Sequence, residues 1–175
     1  KNKSSNKLIV RRRDGKAYKV LNLYRQITHK NNGKVTVSVS SFVPKSHTSF
    51  QWFGQLPVAE IERKQQYLKS LIRDKHISYH YHDARTGHME AAFARGDRRL
   101  GSVLEEAWKL GCKFDGWTEM FDYDRWLKAF ENAHIDPNYY AARTRDLDEP
   151  LPWDHLTDGA TKRFLQREWH RAHEA

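Results

Sequence analysis

Residues 34–52, KVTVSVSSFVPKSHTSFQW, constrain the fold more than any other part of the chain. Val35, Val37 and Val39 alternate with Thr36, Ser38 and Ser40, the two-residue period of a strand with one covered face. Phe42 and Val43 extend the apolar run, and Pro44 ends it because proline has no N–H for a ladder. The expectation is a strand over 34–43, then a polar loop over 45–49 closed by Phe50, Trp52 and Phe53. A strand end that delivers a proline, a lysine, a histidine and a threonine is where α/β proteins put binding groups. Such a strand cannot satisfy its ladder groups alone, so it needs a partner from 8–10, from 76–82 or from another molecule.

The rest of the chain reads as mostly helical. Ala17, Val20, Leu21, Tyr24 and Ile27 fall at helical spacing, which predicts a helix over 16–28 ahead of the strand. Pro57 opens the next helix, with Ile61, Leu68, Leu71 and Ile72 on its covered face. Ile77, Tyr79 and Tyr81 alternate with Ser78, His80 and His82, which predicts a second strand over 76–82. Met89, Ala92 and Phe93 then form one apolar face, stopped by Gly96. Leu100, Val103, Leu104 and Ala107 form another, with Gly111 where a left-handed cap would sit. Asp122 is an N-cap for a helix burying Trp126, Leu127 and Phe130, Asp136-Pro137 breaks the chain, and Asp158 caps a last helix burying Phe164, Leu165 and Trp169. The fold class expected is α/β to α+β and helix-rich.

Length and composition set limits on function. At 175 residues the chain suffices for one domain with a real core. Its net charge of +9 and pI near 9.7 permit polyanion binding without demanding it. A mean hydropathy of −0.90 and no long apolar run argue against a transmembrane helix and a membrane partner. The opening KNKSSNK lacks an apolar stretch behind it and an initiator methionine, so the expectation is a fragment or trimmed product without a signal peptide. One cysteine, Cys112, excludes an internal disulfide framework and fits a reducing, cytoplasmic compartment.

The segment 34–52 resembles the last barrel strand of radical S-adenosylmethionine (radical SAM) iron–sulfur enzymes, where the strand runs into a Pro-x-x-x-Thr loop, here 44–48. Within them it is most similar to the family in which the barrel follows a cobalamin-binding-like domain, departing from its pattern at Ser46 and Ser49, where proline is usual. The resemblance resumes at 92–100 (AFARGDRRL), 114–117 (FDGW) and 148–155 (DEPLPWDH). It implies that 1–75 is the end of a partial (β/α) barrel and 76–175 a helical C-terminal extension with one short strand. It implies that Phe42, Val43, Pro44 and Thr48 lie on the S-adenosylmethionine side in the intact protein. The parent activity implied is reductive cleavage of that cofactor to a 5′-deoxyadenosyl radical, with RNA or a ribosomal component among the substrates of relatives. The family's 4Fe-4S ligands, Cys-x3-Cys-x2-Cys, are absent from a chain whose sole cysteine is Cys112. This chain alone is therefore expected to hold no cofactor and to do no radical chemistry, its missing N-terminal part being its first partner. Cobalamin use stays open.

Other constellations have duller alternatives beside them. Arg95, Arg98 and Arg99 around Gly96 would suit a substrate anion or phosphate, while Asp97 could equally cap a helix and the arginines pair with nearby acids. His80 and His82 share a strand face near Asp83 and His88, yet His76 and Ser78 share it too, as on a solvated strand side, so no metal site is expected. Glu119, Asp122, Asp124, Asp146, Asp148, Glu149 and Asp154 are expected as caps and arginine partners rather than an acid–base pair. His155 beside Asp154 has no serine or cysteine in a nucleophile elbow to serve, and Cys112 is expected to be packed. Lys1, Lys3, Lys7 and Arg11–Arg13, with Tyr18, Tyr24 and Trp52, keep a basic RNA-binding or protein-docking module as the alternative, with at most weak, non-specific RNA binding.

Overall fold

The computed structural model describes residues 34–156 and 159–174. The expected strand at 8–10, the helix at 16–28, the basic cluster up to Arg13 and the Asp158 cap lie outside the described residues. Within them the chain is helix-rich, with one small two-stranded parallel sheet.

The two strands are β1 (Val35–Val39) and β2 (Ile77–Tyr81). Val35 N donates to His76 O at 2.8 Å, so the partner of the valine strand is the segment expected at 76–82. Along β1, Val35, Val37 and Val39 are half-buried while Thr36 and Ser38 are exposed, the alternation read from the sequence. The strand is shorter than the expected 34–43. Beyond Val39 the side-chain amide of Gln55 stands in for a ladder donor, its Nε2 donating to Phe42 O at 3.2 Å, while Gln65 Nε2 donates to the side chain of Ser41 at 3.4 Å. Parallel strands need a crossover connection, and 40–76 supplies it with helix α1 (Val58–Leu71) inside it. Pro57 O accepts from the amides of Glu60 and Ile61, which places the proline at the mouth of α1.

The chain divides into two compact units. One holds 34–39 and Gln66–His80, and the other holds Ser40–Gln65 and the chain from Tyr81 on. The boundaries fall at the end of β1, within α1 and at the end of β2.

The larger unit contains α2 (Ala84–Ala94), α3 (Leu100–Lys109), α4 (Tyr123–Asn132), α5 (Pro137–Ala141) and α6 (Lys162–Glu174). Its helix starts are set by short acidic side chains. Asp83 accepts from Thr86 N, Asp122 from Arg125 N and Asp136 from Asn138 N, each taking an amide that has no partner in the first helical turn. Asp136-Pro137 therefore opens a helix as well as ending a connection, with Pro137 in the first turn where no N–H is missed. Helix α3 ends with Gly111 at φ 87°, where Gly111 N donates to Trp108 O and Cys112 N to Ala107 O. That bond pair closes the helix only if the residue is left-handed, which is why glycine stands there.

Helix α2 packs on α5, and α3 packs on α4. The first core cluster gathers Met89 and Ala92 from α2, Leu100, Val103 and Ala107 from α3, Trp126 and Phe130 from α4, and Tyr140. Cys112 is buried in it, as expected of a packed thiol, and burial pushes its pKa up. Leu104 was expected on the same face and is instead 52 % exposed. It lies one residue beyond Val103, about 100° further round the helix, past the line that meets α4. Phe164 is likewise exposed beside buried Leu165, and Arg167 lies over its ring at 5.2 Å. A second cluster joins Trp52, Leu151, Trp153 and Leu165, with Trp169 against it. Helix α6 is fixed further by Phe53, whose ring stacks on His173 at 5.1 Å and Trp169 at 5.9 Å. No helix among the described residues is long and apolar enough to cross a membrane.

Candidate functional site

Segments that are far apart in sequence are tied together in the larger unit by main-chain and buried side-chain bonds. The loop after the valine strand folds on itself: Thr48 Oγ1 donates to Lys45 O at 2.8 Å and Gln51 N donates to Thr48 O at 3.1 Å. Gln51 Oε1, buried, then accepts from His47 N at 3.0 Å and from Trp153 Nε1 at 2.6 Å. Downstream, Arg145 N donates to Trp52 O, Gly54 N to Thr144 Oγ1 and Gln55 N to Ala141 O. Gly54 is required by that approach, because a Cβ there would stand 1.9 Å from Ala142 O.

Arg95, at the end of α2, has no exposed surface. Its Nη1 donates to Tyr140 O at 2.7 Å and Ala141 O at 3.1 Å, and its Nη2 to Arg143 O at 2.8 Å. One planar fork thus serves three carbonyls at the end of α5, a task that suits arginine's geometry. Arg145 returns the contact, donating from Nη2 to Arg95 O at 2.7 Å while its guanidinium lies 5.2 Å from the Trp153 ring. Burial, and then the neighbouring charges of Arg145 and Arg143, pull the Arg95 pKa down to about 10. Burial and Arg143 lower that of Arg145 in the same way.

Arg145 also lines a cleft of about 1080 Å³. Its walls are Gly96–Arg99, Tyr139 and Tyr140, Arg143 and Arg145, the 149–153 loop with His155, and Ser46. Asp97 pairs with Arg99 at 2.7 Å and accepts from Tyr140 OH at 3.1 Å. The Arg99 bond chiefly holds the Asp97 carboxyl down at about 2. Glu149 takes a two-pronged bond from Arg143, which lowers its pKa as well. Asp154 accepts from Leu151 N and from Lys162 Nζ, and together these outweigh the upward push of its burial. Asp97, Glu149 and Asp154 are thus held as cation partners and turn-formers.

The residues expected at the site are distributed unevenly. Arg98 and Arg99 line the cleft, whereas Arg95 lies behind its wall. Phe42 is 51 % exposed, Val43 packs against the first cluster, Pro44 is buried and Thr48 holds its turn, and none of the four lines the cleft. From the same loop only Ser46 reaches it. The FDGW stretch is elsewhere, with Asp115 accepting from Trp126 Nε1 at 3.2 Å. Among the histidines, His88 is buried between Tyr123 OH at 2.9 Å and Asn138 Oδ1 at 3.2 Å. No group of three or more metal-ligating side chains occurs among the described residues. Tyr139, Tyr140, Arg143 and Arg145 were not foreseen as site residues. The signal was present in YYAARTR: two arginines two apart in an extended stretch lie on one side.

Compared with known proteins, the chain matches no family model, no curated protein and no solved structure.

Proposed function

We propose that this chain is the C-terminal segment of a radical SAM iron–sulfur protein, inactive alone, whose contribution is a substrate-facing cleft rather than the chemistry. The observation that supports this reading is a convergence. Residues from three of the four segments that carry the resemblance, 34–52, 92–100 and 148–155, line or brace one cleft, with Gln51 and Trp153 bonded across 102 residues of chain. A strand that runs into a turn and is followed by a helix, as over 35–71, is compatible with the closing unit of a (β/α) barrel. The reducing cytoplasm is the compartment such a protein would occupy.

The residues of this chain do not fit an iron–sulfur cluster. A cluster of this class needs three thiolates held together, and the chain has Cys112 alone, buried between α3 and α4. What the chain's own residues do is position: Arg95 and Arg145 lock α2, the 141–145 stretch and the 50–55 loop into one frame, and Arg98, Arg99 and Arg143 present cations to the cleft.

The deciding experiment is anaerobic reconstitution with iron, sulfide and S-adenosylmethionine. The purified chain is expected to give no stable cluster absorption and to leave the cofactor intact under reductant. Joined to upstream sequence that carries the cysteine triplet, it is expected to give both the cluster spectrum and 5′-deoxyadenosine. A cluster from the chain alone, or an upstream reading frame without the triplet, overturns the reading.

A further inference from the structure

The groups that line the cleft do not balance its charge. Arg98, Arg99, Arg143 and Arg145 face it and Arg95 stands behind its wall, while Asp97 and Glu149 are its acidic lining residues. Both carboxylates are already committed, Asp97 to Arg99 and Glu149 to Arg143. Arg98 is exposed and makes no ion pair among the described residues. Arg145 is 4 % exposed, and its Nε and Nη1 meet no acceptor, only Nη2 being bonded. A buried guanidinium with unused donors, next to a second buried guanidinium, is costly unless a negative group comes to the site.

The start of α3 does not provide the attraction. Arg99 N donates to Asp97 Oδ1, Leu100 N to Asp97 O and Gly101 N to Arg98 O, so its leading amides are taken. The uncommitted positive charge therefore belongs to side chains: to Arg98, which has no ion pair among the described residues, and to Arg145, whose Nε and Nη1 are unbonded, and both line the cleft.

We propose that this cleft binds the phosphoryl group of a ligand, gripped by Arg98 over the buried charge of Arg145. A phosphoryl group matches the planar fork of arginine and offers enough charge to offset several guanidiniums at once. The cleft, at about 1080 Å³, is far larger than a free phosphate, so the ligand extends beyond that group. The exposed ring of Tyr139 gives it an apolar flank on which a nucleobase can lie. The shared chemistry is a phosphate ester next to a flat ring, from a mononucleotide or from a single RNA strand. This rests on the charge balance of the cleft and does not depend on the radical SAM reading.

Titration calorimetry of the 175-residue chain at low ionic strength tests it, with inorganic phosphate, adenosine 5′-monophosphate, a single-stranded oligoribonucleotide without terminal phosphates, and citrate as an anion without phosphorus. Saturable binding of the monophosphate that exceeds its binding of the oligoribonucleotide assigns the mononucleotide, and the reverse order assigns the RNA strand. In either case Arg98→Ala, which removes an exposed and unpaired side chain, is expected to weaken binding about tenfold. No saturation with any phosphate ligand overturns the proposal. So does citrate binding as tightly as the monophosphate, or binding that survives Arg98→Ala and is lost on neutralising Arg11–Arg13.

Discussion

Arg95 shows how one side chain can be mistaken for a binding group and serve as a brace. Its three carbonyl acceptors come from Tyr140, Ala141 and Arg143, and if the guanidinium is removed all lose that bond, Ala141 O keeping only Gln55 N. Arg95→Ala is expected to lower stability by about 3 kcal/mol or more in a denaturant titration, with Arg95→Lys recovering only part because an ammonium cannot span three acceptors. His88 carries a different signature. Its Nε2–H donates to Asn138 and its Nδ1 accepts from Tyr123 OH, which is the neutral imidazole, and burial pushes its pKa below 6.5 against the weaker upward pull of Asn138 and Asp136. The unfolded chain takes up that proton near 6.5 and the folded chain only at lower pH, so stability is complete above about 6.5 and falls as pH drops below it. The denaturant midpoint is expected to decline as pH falls below about 6.5 in the parent chain and to decline less in His88→Gln, which is less stable at pH 7. A further loss below about pH 4, common to both, follows from the lowered carboxyls of Asp97 and Glu149.

Elements in this fold are held where backbone meets backbone. Gly54→Ala would force its Cβ onto Ala142 O and within 2.6 Å of Ala142 C, and neither can move without the 141–145 stretch. A loss of about 2–3 kcal/mol is expected, together with weakened amide protection at Gln55 and Arg145, both read by hydrogen exchange. Helix α3 offers an internal contrast. Val103 has no exposed surface and Leu104 is half-exposed. Val103→Ala is expected to cost about 2 kcal/mol and Leu104→Ala under about 0.5 kcal/mol, although a hydrophobic pattern ranks the two alike. The strand shows the same limit from another side. Valine alternation fixed its face and its existence over 35–39, but its end was decided by Gln55 reaching in from later in the chain.

At the scale of the whole chain, the larger unit contains two apolar clusters, one built on α2 to α5 and one on Trp52, Leu151, Trp153 and Leu165. Leu165→Ala removes the anchor of α6 from the second cluster and is expected to cost about 2–4 kcal/mol. Because Trp153 and Leu151 also belong to the cleft wall, the same variant is expected to loosen any ligand bound there, whereas Val103→Ala, also destabilising, should leave ligand affinity unchanged. Calorimetry on the two variants below their melting points separates the cases. Equal loss of affinity in both would mean that the cleft depends on global stability rather than on the second cluster.

What the sequence determined by itself is what nearest neighbours decide. Period-2 valines make β1, short acids at 83, 122 and 136 start helices, Gly111 ends one, and a single cysteine forbids a thiolate cluster. Tertiary structure alone decided which charges are spent and which are left over. Three arginines around Gly96 look equivalent along the chain, yet one is consumed by carbonyls some 45 residues away, one by Asp97, and one is left facing a cleft. Arg143 and Arg145 join them only because the 141–145 stretch pairs with the 52–55 loop. Charge depends on three-dimensional distance and burial, and neither is written in the spacing of residues along the chain.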